Sequence, residues 1–258
     1  MKPASKPSTR LCAHSNDAII IRGADLVDDL IGELTFTEMS YFAITGRRPT
    51  KGQTRILDAV LVTLMEHGLT PSAIAARMIY GSTPESLQAG VSAGLLAVGS
   101  VFVGTMEGCA ALIERILGAP DKDAAARAIA DEYRSARKPI PGFGHHMHKP
   151  DDPRTPKLFA LAESEGLSGD HIAALRTLSA AVDERFGKHI TINATGAVAA
   201  LLGEIELPAP IMRGVAVISR SAGLVAHIAE EQQTPSMRYI WELVEDGVPY
   251  EVEPKGGD

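Results

Sequence analysis

Disulfide chemistry is almost absent from this sequence: its 258 residues hold two cysteines, Cys12 and Cys109. That is too few for a disulfide framework, and a reducing, cytoplasmic setting is expected. A basic surplus is missing too, since 25 Lys and Arg face 32 Asp and Glu for a formal charge of -7. Nucleic acid and anionic membranes need a basic surface, so neither is an expected partner. An acidic chain that handles anions must concentrate its arginines locally. The N-terminal MKPASKPSTR is polar and broken by proline. It lacks the apolar core of a signal peptide, so no targeting signal is expected. An uncharged run over 86–106 is long enough for a membrane span, but its serines, Gln88 and glycines at 90, 94, 99 and 104 make it poorly apolar. It reads as a buried helix whose small residues suit close helix–helix contact. Sustained period-two alternation is also missing, apart from a short strand-like segment at 11–23 with a turn signal at Asn16-Asp17.

The most concentrated chemistry lies in 139–155, PIPGFGHHMHKPDDPRT, with three of the eight histidines and prolines at 139, 141, 150 and 153. Prolines lack an N–H and fix φ, so this stretch is a long, stiffened loop rather than a helix interior or central strand. Its content admits three readings: a solvated connection, a metal site using His146, His148 and Asp151 or Asp152, or an acid–base and anion site. In the third, a histidine works beside Lys149 and Arg154 while Gly142 and Gly144 let backbone N–H groups approach a phosphate-bearing ligand. No cysteine pair or HExxH helix accompanies the metal reading.

Elsewhere the signals are helical. A helix over 33–45 ends at Gly46, and Thr50 opens another whose Ile56, Leu57, Val60, Leu61 and Leu64 share a face before Gly68. Thr-Pro pairs at 70–71, 83–84, 155–156 and 234–235 predict four more helix starts, with Thr as N-cap and Pro at the first helical position. Further helices are expected at about 106–117, 121–136, 168–186, 194–203 and 211–232. Arg213 and Arg220 fall within the otherwise apolar last of these, where a buried charge needs a partner. His227, seven residues after Arg220, lies on the same face. His67 sits at a helix end, where a cation also favours the dipole.

The run GFGHHMHKPDDPR resembles the substrate loop of the citrate synthase superfamily, which reads roughly G-[FY]-G-H followed by D-P-R. EHGLTPSAIAAR and SRSAGLVAHIAEE resemble that family's histidine and arginine segments, and the likeness runs along nearly the whole chain. It implies an all-α, citrate synthase-like fold with a large domain and a small inserted lobe: 1–111 and 200–258 forming the former, 112–199 the latter. It also implies roles: His145 polarising or deprotonating a substrate hydroxyl; His67, Arg154 and Arg220 holding carboxylates; Gly142, Phe143, Gly144 and Lys149 contacting coenzyme A. Arginine suits carboxylates because its planar fork binds them through two parallel hydrogen bonds.

Two positions depart from the family pattern. Glu107, in GTMEGCA, stands where the family has an enolate-steadying histidine, and Thr195, in INATGA, where it has an aspartate base. Threonine cannot serve as a base at neutral pH. The short chain and the INxxGA(I/V)AAL pattern look most like the citryl-CoA lyase branch. The resemblance therefore implies a C–C lyase, or its reverse, that cleaves or forms the coenzyme A thioester of a 3-hydroxy-polycarboxylate from acetyl-CoA and a keto acid, with catalytic positions His145, Glu107 and Thr195, and no metal. A homodimer is expected, formed through the glycine-rich helix at 84–104. The alternatives are a non-catalytic CoA-ester binder and a His/Asp metal-dependent hydrolase.

Overall fold

A computed structural model describes residues 6–99, 101, 104–145 and 147–251, so His146 lies outside the described residues. Strands β1 (Cys12–His14), β2 (Ile19–Ile21) and β3 (Ala24–Asp25) form a small antiparallel sheet, with Cys12 opposite Ile21 and Ile20 opposite Asp25. One π-type turn, Leu26–Leu30, follows and is capped by the Asp25 side chain. The rest is α-helical, in order α1 (Phe36–Thr45), α2 (Lys51–Met65), α3 (Pro71–Ser82), α4 (Leu87–Leu96), α5 (Thr105–Leu117) and α6 (Lys122–Ala136). There follow α7 (Arg154–Ser164), α8 (Asp170–Phe186), α9 (Ala194–Glu204), α10 (Met212–Gln233) and α11 (Met237–Gly247).

The chain divides into two compact units, Met1–Thr63 with Thr105–Met212, and Leu64–Gly104 with Arg213–Asp258. The sequence division placed its breaks at 111 and 199 instead. In the first unit α5 and α9 pack on each other and both pack on α8, so a cut at 111 would split α5 and one at 199 would split α9. α9 is the axis of that unit. Every residue from Ala194 to Gly203 except Thr195 is buried, and Ile113, Ile116, Leu175 and Leu178 are buried with it. Each of the leucine, isoleucine and valine side chains among them contributes about 1.5–3 kcal/mol through burial.

The second unit is organised on α3, which packs on α4 and α11. The expected continuous helix over 86–106 is interrupted: α4 stops at Leu96, and the amides of Ala97 and Val98 turn back three residues to Gly94 and Leu95. The close approach that its glycines permit is made within this unit. A Cβ at Gly90 would meet Ile228 and Tyr80, and one at Gly94 would meet Leu224 and the Ser72 carbonyl. α11 leaves Tyr239, Trp241, Leu243 and Val244 exposed.

Of the four Thr-Pro starts, only Thr70-Pro71 caps a helix as expected. Thr83 instead ends α3, its amide donating to Ile79 and Tyr80 carbonyls, and Ser86 occupies the N-cap of α4. Thr155 lies inside α7 and donates its hydroxyl to the Ile192 carbonyl. Thr234 closes α10 through the Glu230 carbonyl, and α11 begins after Ser236. The hydroxyls that would have capped at Thr155 and Thr83 are spent elsewhere, the latter on the Ile79 carbonyl.

Candidate active site

In the first unit, residues 191–195 act as a rail on which both parts of the Pro-rich loop are hung. Phe143 bridges Ile192 in antiparallel fashion. The Gly144 amide donates to the Thr191 carbonyl at 2.8 Å, and the Asn193 amide donates to the Gly142 carbonyl at 3.0 Å. Asn193 also donates its side-chain amide to the Gly144 carbonyl at 2.9 Å. Gly142 and Gly144 are both in the left-handed region, at φ 85° and 78°, which glycine adopts without strain. Gly142 is tightly enclosed: an added Cβ would lie 2.5 Å from Cys109 Sγ and 2.9 Å from Gly196 Cα. The Gly144 amide, expected to face a ligand, is thus committed to the rail, and Phe143 is buried. Lys149 is exposed.

The DPR end hangs on the same rail. Asp152 is fully buried; its amide donates to Thr191 Oγ1 at 3.0 Å and its Oδ2 accepts the Ala194 amide at 3.0 Å. Arg154 grips it with two parallel bonds, Nε to Oδ1 at 2.9 Å and Nη2 to Oδ2 at 2.8 Å. Burial pushes the Asp152 carboxyl up, but the Arg154 fork, its amide and the Ala194 amide outweigh this and hold it at about 2. Arg154 is therefore locked in place with its Nη1 edge unused by Asp152. Asp151, a candidate metal ligand, lies 2.9 Å from His189 Nε2, whose other ring nitrogen lies 2.6 Å from Asp183 Oδ2. These two carboxylates raise the His189 pKa.

His145 has a defined chemical state. Its Nδ1 accepts the amides of Met147 and His148, each at 3.1 Å, and its ring stacks on that of His148 with centroids 4.3 Å apart. An Nδ1 that accepts leaves the proton of a neutral ring on Nε2, so His145 presents a donor there.

Thr195 sits one residue inside α9, whose N-cap is Asn193. Its hydroxyl donates to Asn193 Oδ1 at 2.7 Å and lies 2.9 Å from the Thr105 hydroxyl. Because the Thr195 proton goes to Asn193, Thr105 is the donor in the second contact. Thr105 opens α5, and Glu107 lies in the same first turn, where the helix dipole favours a carboxylate. Beside them, burial pushes the Cys109 thiol up to about 12, so it is an inert packing group.

The second unit carries His67 and Arg220, joined through a residue that the sequence reading did not single out. Arg220, 6% exposed, donates Nη1 to the Met65 carbonyl at 2.8 Å and to Glu66 Oε2 at 2.9 Å, and Nη2 to Thr70 Oγ1 at 3.3 Å. Glu66 Oε1 accepts the amides of His67 at 2.8 Å and Gly68 at 2.6 Å. His227 Nε2 lies 2.9 Å from Glu66 Oε2, and its Nδ1 accepts from Arg77 Nε at 3.0 Å. Arg77 also pairs with Glu230 and, at 2.9 Å, with Glu231, which in turn accepts the amides of Ser236 and Met237. Burial pushes the Glu66 carboxyl up, but His227 and the Arg220 charge outweigh it and the net pKa is lowered. The rule that flagged Arg220, a charge inside an apolar helix, applies equally to Arg77 in AIAARMIY and would have found it.

An all-α chain with a histidine loop, a locked DPR arginine and a buried arginine on its longest helix defines a protein of citrate synthase-like fold. Residues 10–240 match the family model of the citrate synthase C-terminal domain, and the chain belongs to that family. It is 27% identical over 203 residues to a citrate synthase from Heyndrickxia coagulans, a match covering 78% of this chain and 53% of that one. The chain spans about half the length of the curated relatives it matches first. Among solved structures it resembles citryl-CoA lyase from Hydrogenobacter thermophilus, with 32% identity, a TM-score of 0.87 and coverage of 98% and 97% of the two chains. It shares the fold of Methanothrix soehngenii ATP citrate lyase solved with citrate and coenzyme A, at 17% identity, a TM-score of 0.81 and coverage of 99% and 43%.

Proposed function

We propose that this protein is a C–C lyase of the citryl-CoA lyase type, cleaving a 3-hydroxy-polycarboxylyl-CoA thioester to acetyl-CoA and a keto acid. The observation that carries this reading is the near end-to-end likeness to a citryl-CoA lyase combined with the fixed donor state of His145. In cleavage the hydroxyl carbon becomes a carbonyl and the electron pair of the broken bond passes to the thioester as an enolate. With Nδ1 occupied and the proton on Nε2, His145 polarises the substrate oxygen while the hydroxyl proton passes to the Glu107 carboxylate, which returns it to the enolate carbon, so no proton is gained or lost overall. Donors fixed where charge develops are the main catalytic resource of such a site. Glu107 is assigned the proton transfer to the enolate carbon. Arg154, Arg220 and His67 are assigned to the carboxylates. Phe143, Gly142, Gly144 and Lys149 belong to the coenzyme A side of the reading, with the backbone of the glycines shaping the loop and Lys149 the charged group. A homodimer in a cytoplasmic setting completes it.

The test is turnover of citryl-CoA, followed by release of acetyl-CoA and oxaloacetate, with Glu107→Gln beside wild type. Turnover lowered about 10²–10⁴-fold by the substitution supports the assignment. A wild type that binds citryl-CoA without cleaving it favours the second reading, a CoA-ester binder. The observation on that side is Thr195, a hydroxyl already donating to Asn193 where the family has a carboxylate.

A further inference from the structure

We propose that Glu66 is a positioning residue that sets both His67 and Arg220 for the substrate carboxylate, and that His227 and Arg77 hold Glu66 in register. The proposal deepens the reading above and rests on it. Three hydrogen bonds hold this one carboxylate, and a histidine ring nitrogen lies against it. Oε1 takes the amides of His67 and Gly68, which fixes the backbone from which the His67 ring projects. Oε2 takes Arg220 Nη1 and faces His227 Nε2, both at 2.9 Å. A group held by three donors, two of them backbone amides, is not a counter-ion waiting to be displaced by substrate; it is part of the frame.

The guanidinium of Arg220 is accordingly oriented before any ligand arrives. Nη1 uses its two hydrogens on Met65 and Glu66, Nε points to Ser72 Oγ at 3.5 Å, and Nη2 gives one hydrogen to Thr70. One Nη2 hydrogen remains to meet a ligand, so its direction is dictated by the other four. The imidazole of His227 makes the frame directional: Nδ1 accepts from Arg77, so a neutral ring carries its proton on Nε2 toward Glu66. Arg77 is fastened by Glu230 and Glu231, and Glu231 by the first residues of α11. Preorganisation of this kind lowers the cost of binding, because the arginine loses little freedom when the carboxylate docks.

The experiment is calorimetric titration of the full chain with citrate and, separately, with coenzyme A, for wild type, Glu66→Gln, Glu66→Asp and Arg220→Leu. An amide at position 66 can keep its oxygen on the two backbone N–H groups only by turning its NH2 toward the donors of Arg220 and His227. Glu66→Gln should therefore weaken citrate by about 10–100-fold, the scale of a charged hydrogen bond, with coenzyme A changed less than about 2-fold. Glu66→Asp restores the charge and should recover part of the loss, which a merely packing role for the side chain would not produce. If Glu66→Gln and Glu66→Asp bind citrate as wild type does while Arg220→Leu is weakened, the positioning role is overturned and the carboxylate reading stands. If Arg220→Leu also binds citrate normally, the carboxylate reading itself falls and the positioning role with it. Should Glu66→Gln not fold, Glu66→Asp decides alone: citrate weakened about 3–10-fold with coenzyme A unchanged supports the proposal, and unchanged citrate overturns it.

Discussion

The 191–195 rail of the first unit and the Glu66 cluster of the second hold their functional side chains by different forces. The rail uses backbone pairing, threonine hydroxyls, an asparagine and glycines that let two backbones touch; the Asp152–Arg154 ion pair that hangs on it is built from neighbours two residues apart. The cluster strings Glu231, Arg77, His227, Glu66 and Arg220 together over some 150 residues of sequence. Neutral hydrogen bonds tolerate changes of pH and salt, whereas a partly buried chain of charges works only while every member keeps its state. The loop is thus shaped by geometry and the arginine helix by electrostatics.

Removing one charge should break the contrast most visibly. Arg77→Met leaves Glu231, 3% exposed, without its cation and should cost about 3–5 kcal/mol in chemical denaturation. A loss under about 1 kcal/mol would mean that the cluster is solvated in practice. On the neutral side, Gly196→Ala drives a methyl into the Gly142 carbonyl and should cost about 1–3 kcal/mol, with lower turnover because the His145 loop must move. Near-normal stability and turnover would show that the rail can yield.

Acid sharpens the comparison within the first unit. Asp152 is held at about 2 against an ordinary 3.8, so its folded pKa is depressed. Its contribution, about 2 kcal/mol, is complete above the ordinary value and is lost as pH falls through the folded one, between about pH 4 and pH 2. Denaturation across that window should show the fall in wild type and not in Asp152→Asn, whose stability is already reduced at neutral pH. The smallest effect is expected at Thr195→Val, about 1 kcal/mol, since Asn193 keeps the Gly196 amide when the threonine hydroxyl is removed.

Much of this was legible in the sequence, for identifiable reasons. Helices with their own punctuation were readable: Thr50 and Gln53 cap α2 reciprocally, Gly46 ends α1 at φ 76°, and Asp121 caps α6. The hairpin around Asn16-Asp17 was readable from its turn residues. Elements whose ends are set otherwise were not: Thr155 gives its hydroxyl to distant Ile192, and Thr83 closes the helix before it instead of opening the next. The DPR and GFGH motifs pointed to the loop, but only the fold reveals that residues 191–193 carry both. Glu66 stayed hidden because an acidic residue at a helix end is an ordinary surface feature until Arg220, 154 positions away, is brought to it.

Trp241 is the chain's sole tryptophan and stands exposed on α11. The first turn of that helix hangs from Glu231, and so from the charges that orient Arg220. The protein therefore carries a built-in fluorophore on the far end of its ion chain. Its ultraviolet emission reports from one helix alone, without a dye or label, and a carboxylate ligand that tightens the chain would register as a change of colour or intensity in that single indole.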